Sequence, residues 1–382
     1  MKLRIPPTLL FGRGRLADIA AVLDELGVER PLVVTDPGVA AAGIADRLLA
    51  FLREAGHHAQ VWNGVAPDPD EGQAERCRDR ILEGGHGSVI ALGGGSVIDA
   101  AKVAAVLATS GGKTSDYFGF DTVRRPGLPL VTVPTTPGSG AEVSSHAVIV
   151  QLSPRKKEVV AGLHLLPRAA IVDPELTLTL PAPQTIWSAL DGFVHAVEAF
   201  LARRATPLTD SFARPAVPAI ARALPRVLAD GTDMEAREDL SLGCLYSGLA
   251  MANANAGAIH ALGYPLTGRY GIPHGLANAL VAAPTLERIW PGRPERCAEL
   301  ARLLGEEGAG AGPEELAANV RRFLVTLGVR GGLSGQGVRE EDLPELAEAA
   351  THFRPVLDNT PVTLGREDLL AVYRAAWPED LS

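Results

Sequence analysis

The first half of the chain alternates short β-branched apolar runs with longer stretches whose apolar residues recur at helical spacing. PLVVTD (31–36) is followed by GIADRLLAFLREAG (43–56), HAQVWN (58–63) and EGQAERCRDRILEGG (71–85). SVIALG (88–93), SVIDAAKVAAVLATS (96–110) and LPLVTVPT (128–135) continue the alternation. This pattern predicts a parallel sheet covered by helices on both faces. After a shorter strand-like piece, AAIVDP (169–174), the character changes. From Pro181 onward nearly every segment has helical spacing, as in PQTIWSALDGFVHAVEAFLAR, DMEAREDLSLGCLYSGLAMANA, GLANALVAAPTLERIW and PEELAANVRRFLVTLG. The expected fold is an α/β N-terminal domain over residues 1–180 and an all-α C-terminal domain over 181–382. The boundary is placed near Thr179 to Ala182, where two prolines flank the start of the first long helix.

A length of 382 residues accommodates two domains of this kind. The net charge of −9, with no basic cluster beyond Arg155, Lys156 and Lys157, argues against nucleic acid as a partner and toward small ligands. Cys77, Cys244 and Cys297 lie far apart with no CxxC pair, which points to a reducing, cytoplasmic setting. No apolar run reaches the roughly 18–20 residues that span a bilayer.

Chemistry enters with Asp191 and His195, four apart in DGFVHAVEAF. On a helix both side chains leave the same face, one turn apart. Unpaired, such a pair is costly to bury in an apolar helix. His260 and His274 bracket HALGYPLTGRYGIPH, whose Pro265, Gly268, Gly271 and Pro273 are expected to break the helix and turn the chain back. Three imidazoles and one carboxylate suit Zn²⁺ or Fe²⁺ and leave the dication partly uncompensated, so it keeps Lewis acidity for a substrate oxygen.

Two glycine-rich turns compete as a phosphate cradle. Gly12-Arg13-Gly14-Arg15-Leu16-Ala17 has the GxGxxA form but lies at the chain terminus. Gly93-Gly94-Gly95-Ser96 follows SVIAL and opens a helix, flanked on both sides by strand–helix units. Successive glycines admit a phosphate to the backbone, and Ser96 adds a hydroxyl to the free amides there, so this second turn is preferred. Asp36, at the end of PLVVTD, is placed to accept hydrogen bonds from an adenosine ribose and to repel a 2′-phosphate, favouring NAD over NADP; a helix or turn cap is the other reading. Thr135, Thr136 and Ser139 lie in a further polar turn, PTTPGSG.

Together these motifs resemble the iron-containing, or group III, alcohol dehydrogenase family, within the dehydroquinate-synthase-like superfamily. The segments that carry the resemblance are GGGSVIDAAK (93–102), PTTPGSGAEV (134–143), LLPRAAIVDPELTLTLP (165–181), DGFVHAVEAF (191–200) and HALGYPLTGRYGIPHGLANA (260–279), in order along almost the whole chain. The resemblance implies that Asp191, His195, His260 and His274 ligate Fe²⁺ or Zn²⁺ and that Asp36 meets the adenosine ribose. It implies Gly94, Gly95 and Ser96 at the pyrophosphate, Thr135, Thr136 and Ser139 around the cofactor, and Lys157 as a cofactor-contacting lysine; a solvated lysine in a charged turn is the alternative for Lys157. Tyr264 stands where many relatives carry a further histidine, so it either relays a proton or packs. Met251 stands where the family often lines the substrate pocket with an aromatic residue. His146 falls where the substrate side of that pocket is expected, with a surface or hydrogen-bonded histidine as the other reading. The activity implied is reversible NAD-linked oxidation of a small alcohol, in a homo-oligomer, a dimer foremost. A glycerol-type polyol dehydrogenase, or a lyase of the dehydroquinate-synthase type acting on a sugar phosphate, are the alternatives. The lyase would need several basic residues facing the metal, and the sequence near the ligands offers only Arg269.

Overall fold

The computed structural model describes residues 3–153, 155–305, 310–329 and 331–378. The chain divides into two compact units, Met1–Leu180 and Pro181–Ser382.

In the N-terminal unit, β1 (Thr8–Phe11), β2 (Pro31–Val34), β3 (Gln60–Trp62), β4 (Ser88–Gly93), β6 (Leu130–Pro134) and β9 (Ala169–Val172) form one sheet. Every pairing in it is parallel, in the order β1-β9-β6-β4-β2-β3. Side chains alternate between its faces. Val33, Ile90, Leu92, Val131, Val133 and Ile171 enter one apolar cluster, and Leu32, Val34, Val89, Ala91 and Leu130 enter another. Burial on both faces explains why these strands read as continuous apolar runs. Helices α1 (Ile19–Leu26), α2 (Pro37–Ala41), α3 (Ile44–Glu54), α4 (Glu71–Gly84) and α5 (Gly95–Ser110) complete the layers. The strand PLVVTD stops at Val34, and Asp36 caps α2.

A second sheet, β5 (Gly119–Phe120), β8 (Arg155–Ala161) and β7 (His146–Leu152), was not expected from the pattern. The hairpin β7–β8 carries Gln151, Lys156, Lys157 and Glu158, a polarity that reads as a charged turn. Lys157 is therefore a strand residue, opposite Val150.

The C-terminal unit is helical: α6 (Ala182–Leu201), α7 (Pro207–Ala229), α8 (Met234–Ala254), α9 (Ala258–Tyr270) and α10 (His274–Ile289) lead into shorter helices. α6 packs against α7, α8 and α10, and α9 packs against α10. One apolar cluster containing Phe193, Phe200, Leu262, Leu280 and Tyr373 holds them together. Pro265 and Gly268 do not break the chain as expected; both lie inside α9. The turn comes later, at Gly271, whose φ of 68° closes α9 in the left-handed region, and at Pro273, which precedes the first residue of α10. No described helix is long and apolar enough to cross a membrane.

Candidate metal centre and cofactor turn

Asp191 and His195 point from one face of α6 as their spacing requires, and the turn at Gly271–Pro273 starts α10 on His274. The imidazole Nε2 atoms of His195, His260 and His274 stand 3.8, 3.5 and 3.6 Å from one oxygen, Asp191 Oδ1. Donor atoms of Asp191, His195 and His260 all lie within 4.8 Å of one another. His274 joins this trio through Asp191. The His195 and His260 rings stack with centroids 4.7 Å apart, and His274 meets His260 edge-on at 5.3 Å.

These donors fit a small divalent cation. Tetrahedral ligands about 2.1 Å from a metal stand about 3.4 Å from each other. His260 Nε2 is buried and has no hydrogen-bond partner among the described residues, a state that a metal bond would relieve. The electrostatics agree. Burial alone would raise the Asp191 carboxyl, but the His195, His274 and His260 rings hold it well below the usual carboxylate range. Burial disfavours a charged His260, yet the Glu198 and Asp191 carboxylates outweigh it and push its pKa up to about 9. The pocket attracts positive charge, and without a metal it takes a proton.

Two supports escaped the sequence reading. Asn278, one turn after His274, places its amide nitrogen 3.1 Å from Asp191 Oδ1 and 3.2 Å from His274 Nε2. Glu198, three residues after His195, sets Oε2 2.5 Å from His260 Nδ1 and accepts the Ile259 amide on Oε1 at 2.6 Å. A buried Glu in the apolar run VEAF is the signal that could have found it. Two glycines allow the close approach of helices. A Cβ on Gly275 would lie 1.9 Å from the Trp187 carbonyl and 2.8 Å from the Asp191 amide, and one on Gly263 would lie 1.8 Å from Asn278 Oδ1.

Tyr264 stacks on His274 at 5.3 Å and packs against Phe353 at 4.7 Å. Met251 is buried in α8 of this unit, whereas His146 opens β7 of the other. Arg269 is engaged by Asp342 at 2.7 Å and Glu345 at 2.5 Å.

The glycine turn lies in the N-terminal unit, between β4 and α5. β4 and β6 are neighbours, with Gly93 opposite Pro134, so the two polar turns face each other. A Cβ on Gly94 would stand 3.1 Å from Thr136 Oγ1, and one on Gly95 would stand 3.0 Å from Ser139 Oγ. Thr135 N–H donates to the Gly93 carbonyl at 3.1 Å. Ser96 stands at the helix start, as the second residue of α5 after the Gly94 cap, and its Oγ accepts the Asp68 amide at 3.3 Å. Asp68 also pairs with Lys157 at 2.7 Å, which draws Lys157 toward this turn. Deeper in, buried Lys102 donates to the carbonyls of Ser144 and His146, both at 2.8 Å, and Asp99 accepts the Val148 amide at 2.9 Å, tying α5 to β7. Asp36 uses Oδ1 to accept the Val39 amide at 3.0 Å. The rival turn is engaged elsewhere: the amides of Gly14 and Leu16 donate to the two carboxylate oxygens of Asp173 at 3.1 and 3.0 Å.

A parallel sheet carrying a glycine turn, and a helical unit carrying three imidazoles around a carboxylate, suit an enzyme that uses a nucleotide cofactor and a divalent metal. Comparison with known proteins makes this specific. A family profile described as iron-containing alcohol dehydrogenase matches residues 6–174, and the C-terminal profile of the same family matches 185–377. The chain belongs to the iron-containing alcohol dehydrogenase family. It is 35% identical to a long-chain-alcohol dehydrogenase of Geobacillus thermodenitrificans, covering 97% of this chain and 95% of the relative. It is 34% identical to an NAD-dependent methanol dehydrogenase of Bacillus methanolicus, over 91% and 92% of the two chains. A crystal structure of a 1,3-propanediol oxidoreductase superposes with a TM-score of 0.95 at 31% identity, covering 98% of this chain and 99% of that one.

Proposed function

We propose that this NAD-linked alcohol dehydrogenase and aldehyde reductase interconverts a small primary or secondary alcohol with its carbonyl compound, using Asp191, His195, His260 and His274 to hold Fe²⁺ or Zn²⁺. The observation that carries this reading is the convergence of three imidazole nitrogens on Asp191 Oδ1. When bound, the metal supplies Lewis acidity toward the substrate oxygen and NAD accepts the hydride. The chain's own residues do the rest. Gly94 and Gly95 leave backbone room for the pyrophosphate beside Thr136 and Ser139, with Thr135 and Ser96 bracing the turn. Lys157 contributes positive charge, Met251 in the helical unit and His146 in the sheet unit are each assigned to substrate contact, and Tyr264 holds His274 by stacking while its hydroxyl serves the proton path. The reading includes a cytoplasmic homo-oligomer, a dimer foremost. An alcohol and aldehyde panel with NADH and NADPH, on protein purified without oxygen and analysed for metal, tests it; no turnover across the panel with metal and cofactor bound would overturn it.

Two expectations follow from the same residues. Below pH 9 the metal-free His260 ring carries a second proton, which an incoming metal must displace from Nε2. The apparent Zn²⁺ affinity should therefore rise about tenfold per pH unit toward that value and level off above it. Calorimetric titration in buffers of different ionisation enthalpy measures both affinity and released protons, and a flat profile from neutral pH upward would remove His260 from the ligand set. For cofactor choice, Asp36→Ser keeps a helix cap while removing the charge that repels a 2′-phosphate. The ratio of kcat/KM for NADPH over NADH should rise by about tenfold, equivalent to about 1.4 kcal/mol. An unchanged ratio would leave Asp36 as a helix cap alone.

A further inference from the structure

We infer that Glu198 is a positioning residue that fixes His260 as an Nε2 metal ligand by claiming the proton on its other ring nitrogen. The inference rests on the metal site proposed above.

Glu198 and His260 are 4% and 2% exposed, so neither exchanges its partner for water. The carboxylate faces two groups at once: Oε1 accepts the Ile259 amide at 2.6 Å, and Oε2 meets His260 Nδ1 at 2.5 Å. The Ile259 amide can only donate, so the carboxylate is locked in rotation. Its second oxygen, being an acceptor, requires a proton on Nδ1. A neutral ring with its proton on Nδ1 has its lone pair on Nε2, the atom 3.5 Å from Asp191 Oδ1 and without a hydrogen-bond partner among the described residues. Gly257 secures the arrangement from another side, since a Cβ there would lie 3.0 Å from Glu198 Oε1. A carboxylate behind an imidazole ligand also raises the donor strength of the ring. With Asp191, it supplies a second negative charge against a dication.

Glu198→Gln distinguishes this role from mere packing. The amide has the same shape but only one acceptor. If its oxygen keeps the Ile259 amide, its NH₂ faces His260 Nδ1, which must then accept, and the ring proton moves to Nε2. That proton stands where the metal bonds. Co²⁺ titration of metal-free protein against a chromophoric chelator should show affinity about 10–100-fold weaker in Glu198→Gln than in wild type. The visible Co²⁺ bands should change as well. ¹⁵N chemical shifts of His260 in the metal-free protein, at alkaline pH where the ring is neutral, should report the Nδ1–H form in wild type and the Nε2–H form in Glu198→Gln. Glu198→Asp, which retains an acid, should keep the Nδ1–H form and recover part of the affinity; it also carries the test if Glu198→Gln does not fold. Wild-type affinity and spectrum in Glu198→Gln would overturn the inference, as would weakened binding with the tautomer unchanged. If wild type and His260→Ala bind Co²⁺ equally poorly, the metal-site reading fails, and the ¹⁵N shifts still decide whether Glu198 sets the ring proton.

Discussion

Asp191→Ala is expected to strip the protein of its metal and to lower turnover by about a thousandfold or more. Asp191 Oδ1 lies within 3.8 Å of the Nε2 atoms of His195, His260 and His274. The surrounding rings hold its carboxyl well below the usual range, so it is an anion at any working pH. Its removal leaves three neutral imidazoles and no direct charge to balance a dication. It also frees the Asn278 amide, which then turns wholly onto His274. Elemental analysis of anaerobically purified protein, alongside kcat for the best substrate, measures both consequences. Full metal content with undiminished turnover would eliminate Asp191 as a ligand.

The second large effect is mechanical. Gly275→Ala is expected to destabilise the helical unit by about 3 kcal/mol and to weaken metal binding with it. The added methyl would sit 1.9 Å from the Trp187 carbonyl and 2.8 Å from the Asp191 amide, and both are backbone atoms that no rotamer change can move. α10 must retreat from α6, and His274 retreats with it. Gly268→Ala is the matched control: it lies in α9 with nothing among the described residues within 4 Å of its Cβ, so it should be neutral or stabilising by up to about 1 kcal/mol. Denaturant midpoints of the metal-free variants separate the two, and equal midpoints would mean that the α6–α10 contact yields easily.

The alternation of strand and helix was legible because burial on both faces of the parallel sheet leaves its strands apolar throughout. The pair Asp191 and His195 was legible because helical spacing alone puts them on one face. Other features depend on partners remote in the chain. Glu198 acts on a histidine 62 positions away and Asn278 on a carboxylate 87 positions away, and no local pattern encodes either contact. Local rules also misled where tertiary packing prevailed. Pro265 was expected to break the helix, yet it lies inside α9, though it removes a helical hydrogen bond. The β7–β8 hairpin was missed because its run of polar and charged residues imitates a loop.

Asp173 gives the GxGxxA turn a different meaning. Its carboxylate, 1% exposed, receives the very amides that such a turn would offer to a diphosphate. The chain thus carries an internal surrogate for the anion, joining the segment after β9 to the segment after β1, and the motif works as a buckle between neighbouring strands.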